Sequence, residues 1–243
     1  MLQTIFEIKS NEKIAKDVYK MVLLGDTSDL KKPGQFVNIK LDGFFLRRPI
    51  SVCDYDKGVL TLIYKVVGSG TEVMSRMAEG EKLDILTGLG NGFDTSKSGE
   101  TPVVIGGGVG VPPMYNLARK LIEEGKNVTA VLGFNKEEEI FYKEEFEKLG
   151  AKVLISTVDG SVGVKGFVTD ALKEIDFSYT YCCGPEPMLK AVYNASDKDG
   201  QFSFEERMGC GFGACMGCSC KTKYGNKRIC KEGPVLCKEE IIW

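Results

Sequence analysis

Over residues 1–90 the apolar positions fall in short runs separated by Gly, Pro, Asp and Lys. Thr4–Ile8, Val18–Leu24, Gln35–Leu41, Ile50–Cys53 and Val59–Val67 are rich in Val, Ile, Phe and Tyr, as strands bounded by turns are. Strands spaced this closely predict a small antiparallel barrel. One short helix is predicted over Thr71–Met77, where Val73, Met74 and Met77 share a face. Near residue 100 the period changes. Thr101–Ile105, Val128–Leu132, Lys152–Ser156 and Tyr179–Cys183 read as strands. They alternate with helical patterns over Pro112–Glu124, Lys136–Leu149, Val168–Glu174 and Glu186–Asp197. This βα alternation predicts a parallel sheet covered by helices on both faces. From Gly209 both periods stop. The tail is rich in Cys and Gly, and the pieces Ser219–Thr222 and Lys227–Ile229 flank a turn at Tyr224-Gly225-Asn226. The polar stretch Asn91–Glu100 marks the first boundary, so three units are expected, over residues 1–95, 96–205 and 206–243.

Composition narrows the chemistry. The 243 residues are 43% hydrophobic and 27% charged, with a formal net charge of −2. That is ordinary for a globular chain and gives no electrostatic footprint for nucleic acid, so no nucleic-acid partner is expected. No run approaches the ~18 apolar residues that span a bilayer, and Met1–Lys13 lacks the basic and apolar regions of a signal peptide. A reducing, cytoplasmic setting without membrane attachment is therefore expected. There is no histidine. That excludes Ser-His-Asp and Cys-His catalysis and every His-ligated metal.

Six of the nine cysteines lie between Cys210 and Cys237. Cys210, Cys215, Cys218 and Cys230 have the spacing C-x4-C-x2-C-x11-C. The first three match the spacing of plant-type [2Fe–2S] ferredoxins, with a fourth ligand further on. Gly211, Gly213 and Gly217 let such a loop curl around a cluster. A zinc site and disulfides are the alternatives. A zinc ribbon wants two C-x2-C pairs and only Cys215–Cys218 qualifies, while disulfides conflict with a reducing compartment. Cys220 reads as a packed thiol, and Cys53 and Cys182 as small buried residues.

Two turns carry a nucleotide signal. Gly106, Gly107, Gly108 and Gly110 follow a predicted parallel strand and precede a helix opened by Pro112 and Pro113. Ligands of open α/β sheets bind at this edge. Val111 stands where a third fingerprint glycine would be, and a ligand-free βα turn is the plain alternative. Cys183-Gly184-Pro185 ends a second strand in the same way, with Cys183 a candidate nicotinamide contact or simply a packed thiol. Asp159 follows a third strand; an acidic residue there favours a free ribose over a 2′-phosphate, hence NAD(H) over NADP(H). In the first unit, Arg48 offers a phosphate clamp and Ser51 a hydroxyl within Arg48-Pro49-Ile50-Ser51, which reads equally as a basic strand start. Gly68–Thr71 opens a helix after Ile63-Tyr64-Lys65.

In this order, RPIS, GGGVGVPPM and CCGPEPM resemble the ferredoxin–NADP reductase superfamily. With the tail EERMGCGFGACMGCSCK and ICKEGPV, essentially the whole chain more closely resembles the electron-transfer subunits of NAD-dependent (class 1B) dihydroorotate dehydrogenases. The resemblance implies a multi-domain β plus α/β fold: an antiparallel flavin-binding β-barrel, a parallel-sheet nucleotide-binding domain and a small C-terminal [2Fe–2S] module. It implies FAD held by Arg48, Pro49, Ile50, Ser51, Ile63, Tyr64, Lys65, Gly70 and Thr71. It implies NAD(H) held by Gly107, Gly108, Gly110, Asp159 and Gly184, and cluster ligation by Cys210, Cys215, Cys218 and Cys230. Ile50 is aliphatic where many superfamily members have an aromatic residue, which makes Tyr64 a candidate flavin contact. The implied partner is an FMN-containing dihydroorotate dehydrogenase catalytic subunit, two of each assembling together, with the tail around Phe212–Gly217 and Ile241–Trp243 facing it. Rival readings are the small subunit of a ferredoxin–NAD(P) oxidoreductase or a hydrogenase diaphorase and, outside enzymes, a zinc-stabilised binding module.

Overall fold

The computed structural model describes residues 1–243. Six strands close an antiparallel barrel: β1 (Leu2–Ala15), β2 (Val18–Leu24), β3 (Phe36–Ile39), β4 (Arg48–Asp56), β5 (Val59–Lys65) and β6 (Lys82–Leu89). Their order is β1-β2-β5-β4-β3-β6, and β6 pairs back onto β1. β6 is not among the strands predicted from the sequence; Leu83 and Ile85 alternate inward in it and close the barrel. Phe6, Ile8, Met21, Leu23, Val37, Ile39, Leu60, Leu62 and Ile85 fill the interior. Each such side chain contributes about 1.5–3 kcal/mol by leaving water. Helix α1 (Ser69–Ser75) plugs one end of the barrel with the fully buried Met74.

The second unit is built on β7 (Val103–Gly107), β8 (Thr129–Phe134), β9 (Lys152–Thr157), β10 (Val164–Lys165), β11 (Thr180–Cys183) and β12 (Gly200–Ser203). These strands are parallel. Alternation along β7 divides the core in two. Val104 packs with α2 (Val111–Glu123) and α3 (Lys143–Leu149), while Val103 and Ile105 pack with α4 (Val168–Leu172) and α5 (Glu186–Ala195). The expected helix over Lys136–Leu149 is cut short. Tyr142 takes φ 66° at the N-cap of α3, and residues 137–139 form a separate 3-10 turn, because Phe141 and Tyr142 are both drawn into the core. Gly150, at φ 95°, ends α3.

The stretch Asn91–Glu100 is ordered by specific contacts. Phe93 is buried and meets Tyr181 edge-on at 5.7 Å. The Asp94 carbonyl accepts from the Tyr181 hydroxyl and from Gln201 Nε2, both at 2.9 Å. In the tail, β13 (Ser219–Thr222) and β14 (Gly225–Arg228) form a hairpin. β15 (Val235–Cys237) then adds antiparallel to β12, so the otherwise parallel sheet reads β10-β9-β8-β7-β11-β12-β15. No helix is long and apolar enough to cross a membrane.

Candidate functional site: a flavin edge, a nucleotide turn and a four-thiol loop

The β4–β5 ladder runs only from Asp56↔Val59 to Val52↔Leu62. Beyond it β4 pairs with β3 through Arg48–Ser51, while Ile63–Lys65 of β5 stay with β2. The two predicted flavin segments therefore flank the place where the barrel wall parts. Arg48 makes no ion pair; it donates to the Leu46 carbonyl at 2.5 Å and lies 4.6 Å from the centre of the Phe44 ring. It rests on Gly70, where a Cβ would stand 2.1 Å from its Nε. An unneutralised guanidinium seated at the first turn of α1 fits a diphosphate. Thr71 serves its own turn: its hydroxyl accepts from the Val67 and Gly68 N–H groups and donates to the Gly68 carbonyl. Pro49 is exposed, and Ile50, Ser51 and Lys65 are half-buried along the parting.

Ile63 and Tyr64 are both buried. Ile63 faces the nucleotide-binding unit and is buried against it. Tyr64 shares the inward phase of Leu60 and Leu62 and is 2% exposed. Its hydroxyl donates to Asn11 Oδ1 at 2.9 Å, and Asn11 in turn donates to the Met74 and Met77 carbonyls. The Tyr64 ring is thus a core element tying β1, β5 and α1 together, with burial pushing its hydroxyl pKa up.

The sheet order reverses between the parallel strands β7 and β11, the switch point where α/β sheets take ligands. Both predicted turns lie there, in contact. A Cβ on Gly110 would stand 2.2 Å from the Cys183 carbonyl oxygen, and one on Gly107 2.4 Å from Met188 Sδ. Gly184 packs as closely on Met188. These glycines let the two turns interlock. Gly108 differs: at φ 52° it has nothing within 4 Å of its Cβ position, so it is the one that faces open space. Cys183 is enclosed at the thiol, and burial pushes its pKa up to about 12 while Ser203 pulls against it. It is a neutral thiol at physiological pH. Asp159 is exposed beyond β9, and its carboxylate caps its own turn through Ser161 N–H and Oγ, at 2.9 and 2.7 Å.

In the tail the four spaced cysteines stand in two pairs, Cys215 beside Cys210 and Cys218 beside Cys230. No three Cys, Asp or Glu side chains are gathered tightly enough for a single ion. Two thiols to each of two irons is what a [2Fe–2S] cluster requires, so this donor set fits one. Backbone N–H groups already aim at sulfur, Ala214 N at Cys210 Sγ (3.2 Å) and Cys230 N at Cys218 Sγ (3.4 Å). Burial pushes the Cys210 thiol up, yet the N–H groups of Phe212, Cys215 and Ala214 bring it down to about 6. Burial and the neighbouring Cys218 push Cys230 up to about 12. Arg228 donates to the Gly213 carbonyl at 2.5 Å and is gripped by Glu232, which holds the loop to the hairpin.

Sequence reasoning missed the residues that join the units. Asn38 on β3 donates to the Cys210 carbonyl at 3.2 Å. Asn91 donates to the Glu232 and Val235 carbonyls and accepts from Val235 N–H. The available signal was a polar residue inside an apolar strand, the Asn of Phe36-Val37-Asn38-Ile39.

A barrel that parts at a cationic edge, a nucleotide turn at a sheet switch point and a paired-thiol loop define an NAD-dependent flavin oxidoreductase carrying a [2Fe–2S] centre. Residues 205–242 match the iron-sulfur cluster binding domain of dihydroorotate dehydrogenase B, and residues 104–194 the oxidoreductase NAD-binding domain. The chain is 44% identical to the dihydroorotate dehydrogenase B (NAD(+)) electron transfer subunit of Fusobacterium nucleatum, over 96% of each chain. It is 43% identical to that of a Geobacillus species, over 100% of this chain and 99% of the relative. In structure it is similar to an NADH-dependent reduced ferredoxin-NADP oxidoreductase, at TM-score 0.90 and 31% identity over 98% of this chain and 90% of that one. Phthalate dioxygenase reductase shares the fold at TM-score 0.63 and 21% identity, over 79% of this chain and 64% of that one. The chain belongs to the family of dihydroorotate dehydrogenase B electron transfer subunits. Its cofactors are FAD and a [2Fe–2S] cluster, with NAD(H) as the exchangeable partner.

Proposed function

We propose that the chain relays electrons between NAD(H) and an FMN-containing dihydroorotate dehydrogenase catalytic subunit, two copies of each assembling in the cytoplasm for pyrimidine (UMP) synthesis. When bound, FAD exchanges a hydride with NAD(H) and single electrons with the cluster, which hands them across the subunit boundary. In the biosynthetic direction the electrons leave dihydroorotate and end on NAD(+). The units 1–95, 96–205 and 206–243 divide this work.

The protein's own share is positioning. Arg48 takes the flavin diphosphate against Gly70, and Pro49–Ser51 with Ile63–Lys65 line the parted wall through their backbones. Gly108 lets the nicotinamide end of NAD(H) approach, and the interlocked Gly107, Gly110 and Gly184 keep that turn narrow. Asp159 faces the ribose end. Cys210, Cys215, Cys218 and Cys230 ligate the irons. No side chain here has to move a proton, which agrees with a chain that has no histidine.

The observation that carries this reading is the placement of the flavin edge, the switch-point turn and the paired thiols on one set of packed units. The exposed Phe212 and Met216 beside the thiols suit a face for the catalytic subunit. Of the terminal segment Ile241–Trp243, Ile242 is exposed and suits the same face, while Ile241 is buried and Trp243 stacks on Phe204 at 5.5 Å. Anaerobic titration of the purified holoprotein with NADH tests the relay. Joint bleaching of flavin and cluster bands is expected; a coloured protein that NADH leaves unchanged overturns it. Phe212→Asp is expected to abolish co-purification with the FMN subunit, and retained co-purification moves the interface elsewhere.

A further inference from the structure

β4 carries an irregularity that the flavin segment does not explain. The register passes from Val52↔Leu62 to Asp54↔Thr61, leaving Cys53 as an extra, unpaired residue. In a regular strand neighbouring side chains point to opposite faces. A bulge breaks that rule and re-aims a side chain. Here Cys53 and Asp54, adjacent in sequence, both turn toward the nucleotide-binding unit. Cys53 is fully buried within the α2–α3 core beside Tyr142. Asp54 Oδ1 accepts from Asn116 Nδ2 at 2.8 Å and from Arg119 Nη2 at 2.7 Å, both on α2. The same Arg119 nitrogen donates to the Tyr55 carbonyl at 3.1 Å. Asn116 is 4% exposed and the Asp54–Arg119 pair is half-buried, so this is a partly enclosed polar joint between the two units.

Its position matters more than its strength. Asp54 stands three residues beyond Ser51, the last residue of the flavin segment. Asn116 stands five residues into α2, about 8 Å along a helix that starts at the Gly108–Gly110 turn. Another polar contact between these units, Lys16 with Glu138 at 2.9 Å, is exposed and far from both segments in sequence.

We infer that Asp54, Asn116 and Arg119 are positioning residues, which set the separation of the nicotinamide turn from the flavin-bearing strand through the β4 bulge. The inference rests on the relay reading, because only hydride exchange between two bound cofactors makes that separation consequential. A displacement near 1 Å between reacting partners costs on the order of 100-fold in rate. A loosened joint should therefore slow flavin reduction while leaving each cofactor bound.

The test uses the holoprotein under anaerobic stopped flow. Asn116→Asp sets two carboxylates against each other, and the double variant Asp54→Asn with Asn116→Asp restores one donor and one acceptor. Flavin and iron content, the half-saturating NADH concentration and the long-wavelength nicotinamide–flavin charge-transfer absorbance are read with the reduction rate. For Asn116→Asp the expected result is a roughly 10–100-fold slower reduction and a diminished charge-transfer band, at unchanged cofactor content. The double variant should return to within about 3-fold of the parent rate, a recovery of about 0.7–2 kcal/mol over Asn116→Asp at 1.4 kcal/mol per tenfold. Lys16→Ala should leave both readouts unchanged. If Asn116→Asp does not fold, Arg119→Gln is read in the same way, with the same slowing and band loss expected. A variant reduced at the parent rate with its band intact overturns the inference, as does a double variant no faster than Asn116→Asp. A parent holoprotein that NADH cannot reduce overturns the relay reading and this inference together.

Discussion

Asn38 on β3 and Cys210 at the head of the thiol loop are joined by one hydrogen bond, from Asn38 Nδ2 to the Cys210 carbonyl at 3.2 Å. Asn38 is 1% exposed, and the loop can approach so closely because residue 211 is glycine at φ 78°, where a Cβ would stand 2.4 Å from Nδ2. β3 is also the strand that pairs with the flavin segment, Asn38 lying opposite Pro49. One buried amide therefore links the flavin edge to the first of the four cysteines.

Removing that amide should loosen the loop. Asn38→Ala leaves the Cys210 carbonyl without its donor, a loss of about 1 kcal/mol. The expected outcome is faster release of iron to a chelator from the holoprotein, with flavin content unchanged. Iron release at the parent rate would show that the contact does not hold the loop.

The glycine turn predicts two opposite outcomes from one substitution type. Gly110→Ala would place a methyl 2.2 Å from the Cys183 carbonyl and must pry the two turns apart. A fall of several degrees in the unfolding midpoint and weaker NADH use are expected together. Gly108→Ala meets open space; its cost is the left-handed backbone at φ 52°, about 1–2 kcal/mol. The protein should fold and bind flavin, and the half-saturating NADH concentration should rise, as steady-state kinetics would measure. Equal losses of stability in the two variants would contradict this division of roles.

Tyr64→Phe separates a core role from a flavin role. The variant keeps the ring and loses the bond to Asn11, about 1 kcal/mol. Thermal unfolding should register that loss, and the flavin absorption spectrum should not change. A shifted flavin spectrum would return the Tyr64 ring to the flavin site.

The same residue shows how much was legible in the sequence. Leu60, Leu62 and Tyr64 alternate in phase, so strand periodicity already contained the burial of Tyr64; the motif resemblance pointed the other way. The cysteine spacing and the two glycine turns were readable because their chemistry needs fixed residue types at short range. The β4 bulge was not, since it depends on which strand lies opposite Cys53. Nor was β15, whose three residues Val235–Cys237 become a strand only against β12. The helix predicted from Lys136 failed for a similar reason, because burial of the Phe141–Tyr142 pair overrode local helical period.

Cys183 makes a pH prediction of definite sign. Burial holds its pKa near about 12, above the ordinary thiol value of 9.0. A group whose folded pKa is raised contributes stability that is fully present below the unfolded value and fades as pH climbs from there toward the folded one. Nothing is lost at pH 7, and the loss falls between pH 9 and 12. The thiolate fraction at pH 8 is on the order of one in ten thousand, so the thiol should resist alkylation there. Iodoacetamide treatment at pH 8 followed by peptide mass analysis should leave Cys183 unlabelled in the folded holoprotein and labelled after denaturation. Cys183→Ala should narrow the drop in urea midpoint between pH 8.5 and 10.5 relative to the parent. Rapid labelling of folded Cys183 at pH 8 would mean a reactive thiolate at the nicotinamide turn, and with it a chemical role that burial otherwise denies.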